Sequence, residues 1–241
     1  MKSVTGVSYF PTSISMAHLL LVKNAAQVVS VCQNGERLLV GENMDNVVIH
    51  ENASIVVNRD GKIEAVGSSA EIEENFKGVE FDQVLDASGK SVIPGLVDGH
   101  THPVWAGDRV HEFAMKLAGA SYMDIHAKGG GIHFTVKHTT EATEQELLDS
   151  FKSRLRKAIG HGTTLLEAKS GYGLKLDAEM KMLKVIHQAA MSEDKGEQPD
   201  IISTYLAAHA VPPGSTPREA TDDIIKKQVG LLAFIAVSVR N

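Results

Sequence analysis

The stretch that decides the architecture is Ser91-Val92-Ile93-Pro94-Gly95-Leu96-Val97-Asp98-Gly99-His100-Thr101-His102. Its apolar residues fall on both faces, the pattern of a strand buried in a parallel sheet rather than one with a face in water. It closes on two histidines at i and i+2, which a strand carries on the same side.

Upstream, residues 19–22, 28–31 and 47–49 are β-rich runs separated by Asn, Gly and Glu. Runs at 54–59 and 62–66 flank Asp60-Gly61, and a DG pair between β-branched runs predicts a hairpin with a type I′ turn. Residues 84–87, before Ser88-Gly89-Lys90, read as another strand and turn. The first ninety residues are expected to form a small antiparallel β unit.

Downstream the grammar changes to strands alternating with helices. Thr143 and Glu146 form a capping box for a helix over 143–159, with Leu147, Leu148, Phe151, Leu155 and Ile159 apolar. Gly160 and Gly162 end it, and residues 163–168 are the next strand. A second helix over 177–190 carries Met180, Leu183, Ile186 and Ala190 on one face, and residues 201–206 form a third strand. Thr216-Pro217-Arg218-Glu219 opens another helix, with proline at the first helical position. Alternation at this spacing means βαβ units and a parallel sheet. Met180 and Met182 are expected as core filler or surface. Lys152, Arg154, Arg156 and Lys157, interleaved with Phe151 and Leu155, are expected as a solvated helix face.

Composition narrows the classes of function. The 241 residues carry a net charge of −6, with 43% hydrophobic and 22% charged residues, as in an ordinary folded soluble protein. No basic cluster is present, so nucleic acid is not an expected partner. Cys32 is the single cysteine, which excludes an internal disulfide and fits a reducing compartment. The most apolar tract, 229–239, is shorter than the roughly 20 residues a membrane helix needs. The start lacks the apolar core of a secretory signal. A cytoplasmic protein without membrane contact is the expectation.

His100-Thr101-His102 is the sharpest chemical feature, because two neutral imidazoles at the carboxyl end of a parallel strand suit one divalent metal. A pair of hydrogen-bonded loop histidines is the plainer alternative. Arg109, shortly after, suits a carboxylate clamp through its planar fork, while composition alone favours the plainer reading, a surface arginine paired with Asp108 or Glu112. Lys169-Ser170-Gly171-Tyr172-Gly173 follows the second strand, with glycines that permit close backbone approach and a tyrosine hydroxyl. His209 follows the third. Gly129-Gly130-Gly131 lacks the Lys-Ser/Thr of a phosphate-binding loop, and Gly89-Lys90-Ser91 lacks that motif's first glycine.

Gly95-Leu96-Val97-Asp98-Gly99-His100-Thr101-His102 resembles the first-strand signature of the metal-dependent amidohydrolase superfamily. Its continuation, Pro103-Val104-Trp105-Ala106-Gly107-Asp108-Arg109-Val110-His111-Glu112-Phe113, narrows the resemblance to the imidazolonepropionase family. The stretches 119–132 and 167–173 agree, and the resemblance runs from about residue 19 to about 227. It implies a TIM-type (β/α) amidohydrolase barrel preceded by a small β-sandwich. The implied reaction is metal-dependent opening of the cyclic amide of 4-imidazolone-5-propanoate to N-formimidoyl-L-glutamate in histidine degradation. His100 and His102 match metal ligands, for zinc or iron. Arg109, Tyr172 and His209 match substrate-contacting positions, and the resemblance leaves room for a homo-oligomer.

The resemblance is partial. The family's remaining ligands and acid/base residues are expected beyond Asn241, and a closed barrel takes about 250 residues by itself. The expected division is an unmatched extension (1–15), a β-sandwich (16–91), the first part of the barrel (92–228) and a divergent apolar tail (229–241). Such a chain is expected to be truncated and inactive alone. The competing readings are another cyclic amidohydrolase or deaminase, and a non-catalytic isoform that binds a partner protein through an exposed sheet edge.

Overall fold

A computed structural model describes residues 18–32, 35–192 and 196–230. The expected extension at 1–15 and nearly all of the apolar tail lie outside these residues. The chain divides into two compact units, Met1–Pro94 and Gly95–Asn241.

The first unit is a sheet built around one long strand. β1 (His18–Ser30) joins the two runs expected separately. It pairs antiparallel with β2 (Val48–Val57), which pairs antiparallel with β3 (Ile63–Ser68). A short helix, α1 (Ser69–Asn75), follows behind a Ser68–Glu71 capping box. On its other side β1 runs parallel to β4 (Phe81–Asp86) and then to β5 (Ser91–Val92). The unit is therefore mixed, not antiparallel, and its described strands are linked by hydrogen bonds through β1. β1 bends where its register shifts between Val22 and Ala25; Asn24 sits there at φ 61° and donates its backbone N–H to Ser54 Oγ. A short polar side chain tolerates that left-handed conformation, so a propensity reading that took Asn24 as a break saw the bulge but not the continuity.

The Asp60-Gly61 hairpin forms, but not with a type I′ turn. Only Gly61 has positive φ, at 71°, and Asn58 Oδ1 accepts from the N–H groups of Asp60 and Lys62. The longer loop is the kind in which a glycine in the left-handed region follows an ordinary turn. Ala25, Val28, Ala53, Ile55 and Ala87 form this unit's core.

The second unit has β6 (Leu96–Thr101), α2 (Val110–Leu117), α3 (Tyr122–Ala127), α4 (Ile132–Glu141), α5 (Glu144–Gly160), β7 (Thr163–Lys169), α6 (Leu176–Ala190), β8 (Asp200–Thr204) and α7 (Pro217–Asp223) in order. A single π-helical turn, Ile224–Gln228, continues α7. The three strands lie parallel in the order β6-β7-β8, with helices in the crossovers, as the alternating pattern requires. The capping boxes at Thr143–Glu146 and Thr216–Glu219 both form.

Phe151, Leu147 and Leu155 of α5 and Met182, Val185, Ile186 and Ala189 of α6 pack on Leu166 and Ala168 of β7. The buried stripe of α6 thus differs from the expected one: Met180 and Leu183 are half-buried and Ala190 is exposed. Met182 and Val185 share Ile186's face at i−4 and i−1, and the sheet takes that side.

Two further expectations need correction. Residues 91–102 are not one strand: β5 ends at Val92, Pro94 donates no hydrogen bond, and β6 starts at Leu96. Nor is β6 buried, since Leu96 and Val97 are 51% and 65% exposed. Among the described residues it pairs only with β7, so an apolar composition that suits a central strand here sits at an edge.

Candidate functional site

The carboxyl ends of β6, β7 and β8 point the same way, and the residues leaving them converge. His100 and His102 have ring centroids 5.8 Å apart. His102 lies 5.4 Å from Tyr172, which follows β7, and is stacked on His209, which follows β8, at 4.2 Å and 9°. Tyr172 and His209 are themselves 5.4 Å apart. Four of the five expected site residues thus form one cluster. They come from three segments that only parallel strands bring together.

Backbone carbonyls orient two of the rings. His102 Nδ1 lies 2.6 Å from Ser170 O, and His209 Nδ1 lies 3.1 Å from Gly171 O. A carbonyl can only accept, so Nδ1 carries the proton in each and the Nε2 lone pair is left open. Burial lowers the pKa of His102, and the neighbouring His209 adds to that, so its ring is neutral at pH 7. Neutral imidazole with its second nitrogen tied to a carbonyl is the form in which histidine binds metals. Two imidazoles on one tetrahedral ion stand with centroids about 5 Å apart, close to the spacing of His100 and His102. The stacked face of His209 does not complete the set. Among the described residues, no group of three or more His, Cys, Asp or Glu is disposed to hold a metal.

The loop carrying Tyr172 is organised by a carboxylate that sequence reasoning missed. Glu179, on α6, is 1% exposed and accepts from the N–H groups of Gly171 (3.1 Å), Gly173 (2.7 Å) and Leu174 (2.7 Å). Leu174 is held at φ 61°, and a Cβ on Gly173 would meet Glu179 N at 2.4 Å, so the loop demands glycine there. Ser170 Oγ accepts from Leu206 N, tying this loop to the one after β8. Beside it, Glu167 Oε1 accepts from Lys169 Nζ at 2.6 Å and Thr204 Oγ1 at 2.7 Å, which holds its carboxyl below the usual range.

Arg109 lies apart from the ring cluster, on a cleft of about 330 Å³ that Tyr172 also lines. Of its open alternatives, the partner is Glu112: Nε and Nη2 reach the two carboxylate oxygens at 2.9 and 2.6 Å. Asp108 instead accepts from Val110 N. Burial raises the Tyr172 pKa, with Arg109 opposing, so the phenol keeps its proton at pH 7. The glycine run also finds its role here, since Gly131 N donates to Glu112 Oε1 at 2.9 Å.

Arg154 corrects the expected solvated face. Its guanidinium lies 3.6 Å over the Trp105 ring and donates to Pro103 O (2.9 Å) and Trp105 O (3.2 Å). Burial lowers its pKa to about 10, so it stays charged at neutral pH. The segment between His102 and Arg109 is therefore fastened to α5. An arginine set among Lys152, Arg156 and Lys157 looks solvated in a helix pattern, and only the tryptophan's place in space shows otherwise.

No family model matches the chain. Curated relatives do. The chain is 57% identical to a protein named probable imidazolonepropionase of Danio rerio over 91% of its own length and 50% of that protein's. For those so named from Homo sapiens and Mus musculus the identities are 53% and 55%, over 90% and 88% of this chain and 50% and 49% of theirs. Solved structures that align with it include guanine deaminase of E. coli (TM-score 0.44, 15% identity, 87% of this chain and 44% of that one). Another is atrazine chlorohydrolase from Arthrobacter aurescens complexed with zinc (TM-score 0.41, 14% identity, 89% and 43%). The chain spans about half the length of the curated relatives it matches, and over that span its sequence is similar to proteins named probable imidazolonepropionase.

Proposed function

We propose that this chain carries the carboxylate cleft and the first-strand half of the metal centre of an imidazolonepropionase. That enzyme opens the cyclic amide of 4-imidazolone-5-propanoate to N-formimidoyl-L-glutamate, a step of histidine degradation placed in the cytoplasm. The observation that carries the reading is the meeting of His100, His102, Tyr172 and His209 at the carboxyl ends of three parallel strands, where barrel enzymes gather their active sites.

His100 and His102 would hold one zinc or iron ion, which when bound supplies an activated water and polarises the ring carbonyl. The other residues bind and orient. Arg109 holds the propionate tail through the edge of its guanidinium that Glu112 leaves open. Tyr172 keeps its phenolic proton and donates from the cleft wall. His209 presses flat on His102, keeps that ring in place and offers its own Nε2 to a ring atom of the substrate. Two imidazoles supply half of a four-ligand site, so the 241 residues alone are expected to be inactive and to bind metal weakly.

The test is a chimera in which residues 19–227 replace the matching segment of the Danio rerio relative. It should hold metal and consume 4-imidazolone-5-propanoate at a rate within about tenfold of its parent, and Arg109→Lys in it should raise KM with metal retained. A folded, metal-loaded chimera that leaves this substrate untouched would overturn the assignment.

A further inference from the structure

The Arg109–Glu112 pair has a geometry that does more than close an ion pair. A guanidinium offers five N–H groups. Glu112 takes Nε–H and one N–H of Nη2, the side-on fork. The end-on fork, one N–H from each of Nη1 and Nη2, makes no hydrogen bond with any described residue. It has the right shape for a second carboxylate. Arg109 is 40% exposed and Glu112 only 5%, so the pair has an inner, sealed side and an outer side toward the cleft.

Glu112 is held from a second side as well. Its Oε1 also accepts from Gly131 N, and a Cβ on Gly130 would stand 2.9 Å from that oxygen and from Ile125 O. The cleft is lined by Trp105, Phe113 and Tyr172 on its apolar and aromatic side, and its charged groups are Arg109, Glu112 and Lys116. Lys116 is exposed at the end of α2. Glu112 therefore cancels one of two positive charges and leaves a net charge of one beside an open bidentate fork.

We propose that Glu112 is a specificity-determining residue, setting the cleft to accept a single carboxylate and to refuse dianions. This rests on the reading that Arg109 takes a substrate carboxylate. It adds what the arginine alone does not give, because an unpaired Arg109 with Lys116 would attract sulfate, phosphate or dicarboxylates more strongly than a monocarboxylate.

The experiment titrates the purified chain with propionate and, separately, with sulfate, following the Arg109 side-chain N–H resonances. The wild-type chain should prefer propionate. Glu112→Gln keeps an oxygen for Gly131 N but adds one positive charge, and should move the sulfate-to-propionate affinity ratio up by about tenfold. Glu112→Asp keeps the charge and should keep the wild-type preference. Lys116→Gln, on the exposed rim, should move the ratio the opposite way, which reads the same charge count in a variant with no buried change. An unaltered ratio in Glu112→Gln, or in Lys116→Gln should Glu112→Gln not fold, would overturn the proposal. Propionate binding that survives Arg109→Gln would instead remove the carboxylate clamp beneath it.

Discussion

Replacing Glu179 should show how much of the site depends on one buried carboxylate. In Glu179→Gln one oxygen remains for Gly173 and Leu174, while an amide NH₂ faces the Gly171 N–H that Glu179 Oε2 now accepts at 3.1 Å. Two donors then meet with no water between them, at a position 1% exposed. A buried donor left unsatisfied costs about 1–3 kcal/mol, and losing the charge weakens the other two bonds, so a loss of about 2–4 kcal/mol is expected. Glu179→Ala strips all three N–H groups of their acceptor and should cost about 4 kcal/mol or more. Urea unfolding followed by far-UV circular dichroism gives the stability. Amide exchange reports the loop, where Gly171, Gly173 and Leu174 should lose protection before the α5 and α6 amides do. A Glu179→Gln chain within about 0.5 kcal/mol of the wild type, with those amides still protected, would show that the loop does not depend on the carboxylate.

Two other perturbations test neighbouring parts. Arg154→Ala removes the cation over the single tryptophan and the donors to Pro103 O and Trp105 O; Trp105 emission should change and stability should fall by about 2–3 kcal/mol, whereas unchanged emission would place the ring elsewhere. Acid should act partly through Glu112, whose carboxyl lies below its ordinary value of 4.5 because Arg109 donates to it, with Gly131 N assisting against burial. Its contribution is then whole above about pH 5 and is lost as pH falls through the depressed folded value. Glu112→Gln should flatten that acid limb of stability against pH, and an unchanged limb would show that the pair is not linked to folding.

Much of the second unit is legible in the residues. Capping boxes such as Thr143–Glu146 are short-range devices, and the alternation of apolar strands with amphipathic helices forces parallel pairing. The histidines stood out because i and i+2 on a strand share a side whatever the tertiary setting. What escaped was everything fixed by partners distant in sequence. Asn24 reads as a break, yet Ser54, on the next strand, makes it a bulge within β1. Arg154 reads as solvated until Trp105 lies beneath it. Glu179 looks like any first-turn acid of α6, and nothing local marks it as the anchor of the loop just upstream. The sequence allows Arg109 two fates, clamp or ion pair; the structure pairs it with Glu112 and, among the described residues, gives its second fork no hydrogen-bond partner.

The metal-holding role proposed for His100 and His102 can be read from long-range ¹H–¹⁵N spectra of the histidine rings during a zinc titration. His102 should begin as the Nδ1–H tautomer fixed by Ser170 O. Zinc should then shift the ring nitrogens of both His100 and His102 in one weak, saturable event that His102→Ala abolishes. Zinc that leaves both rings unshifted, or that binds just as well in His102→Ala, would show that the two histidines do not share a metal.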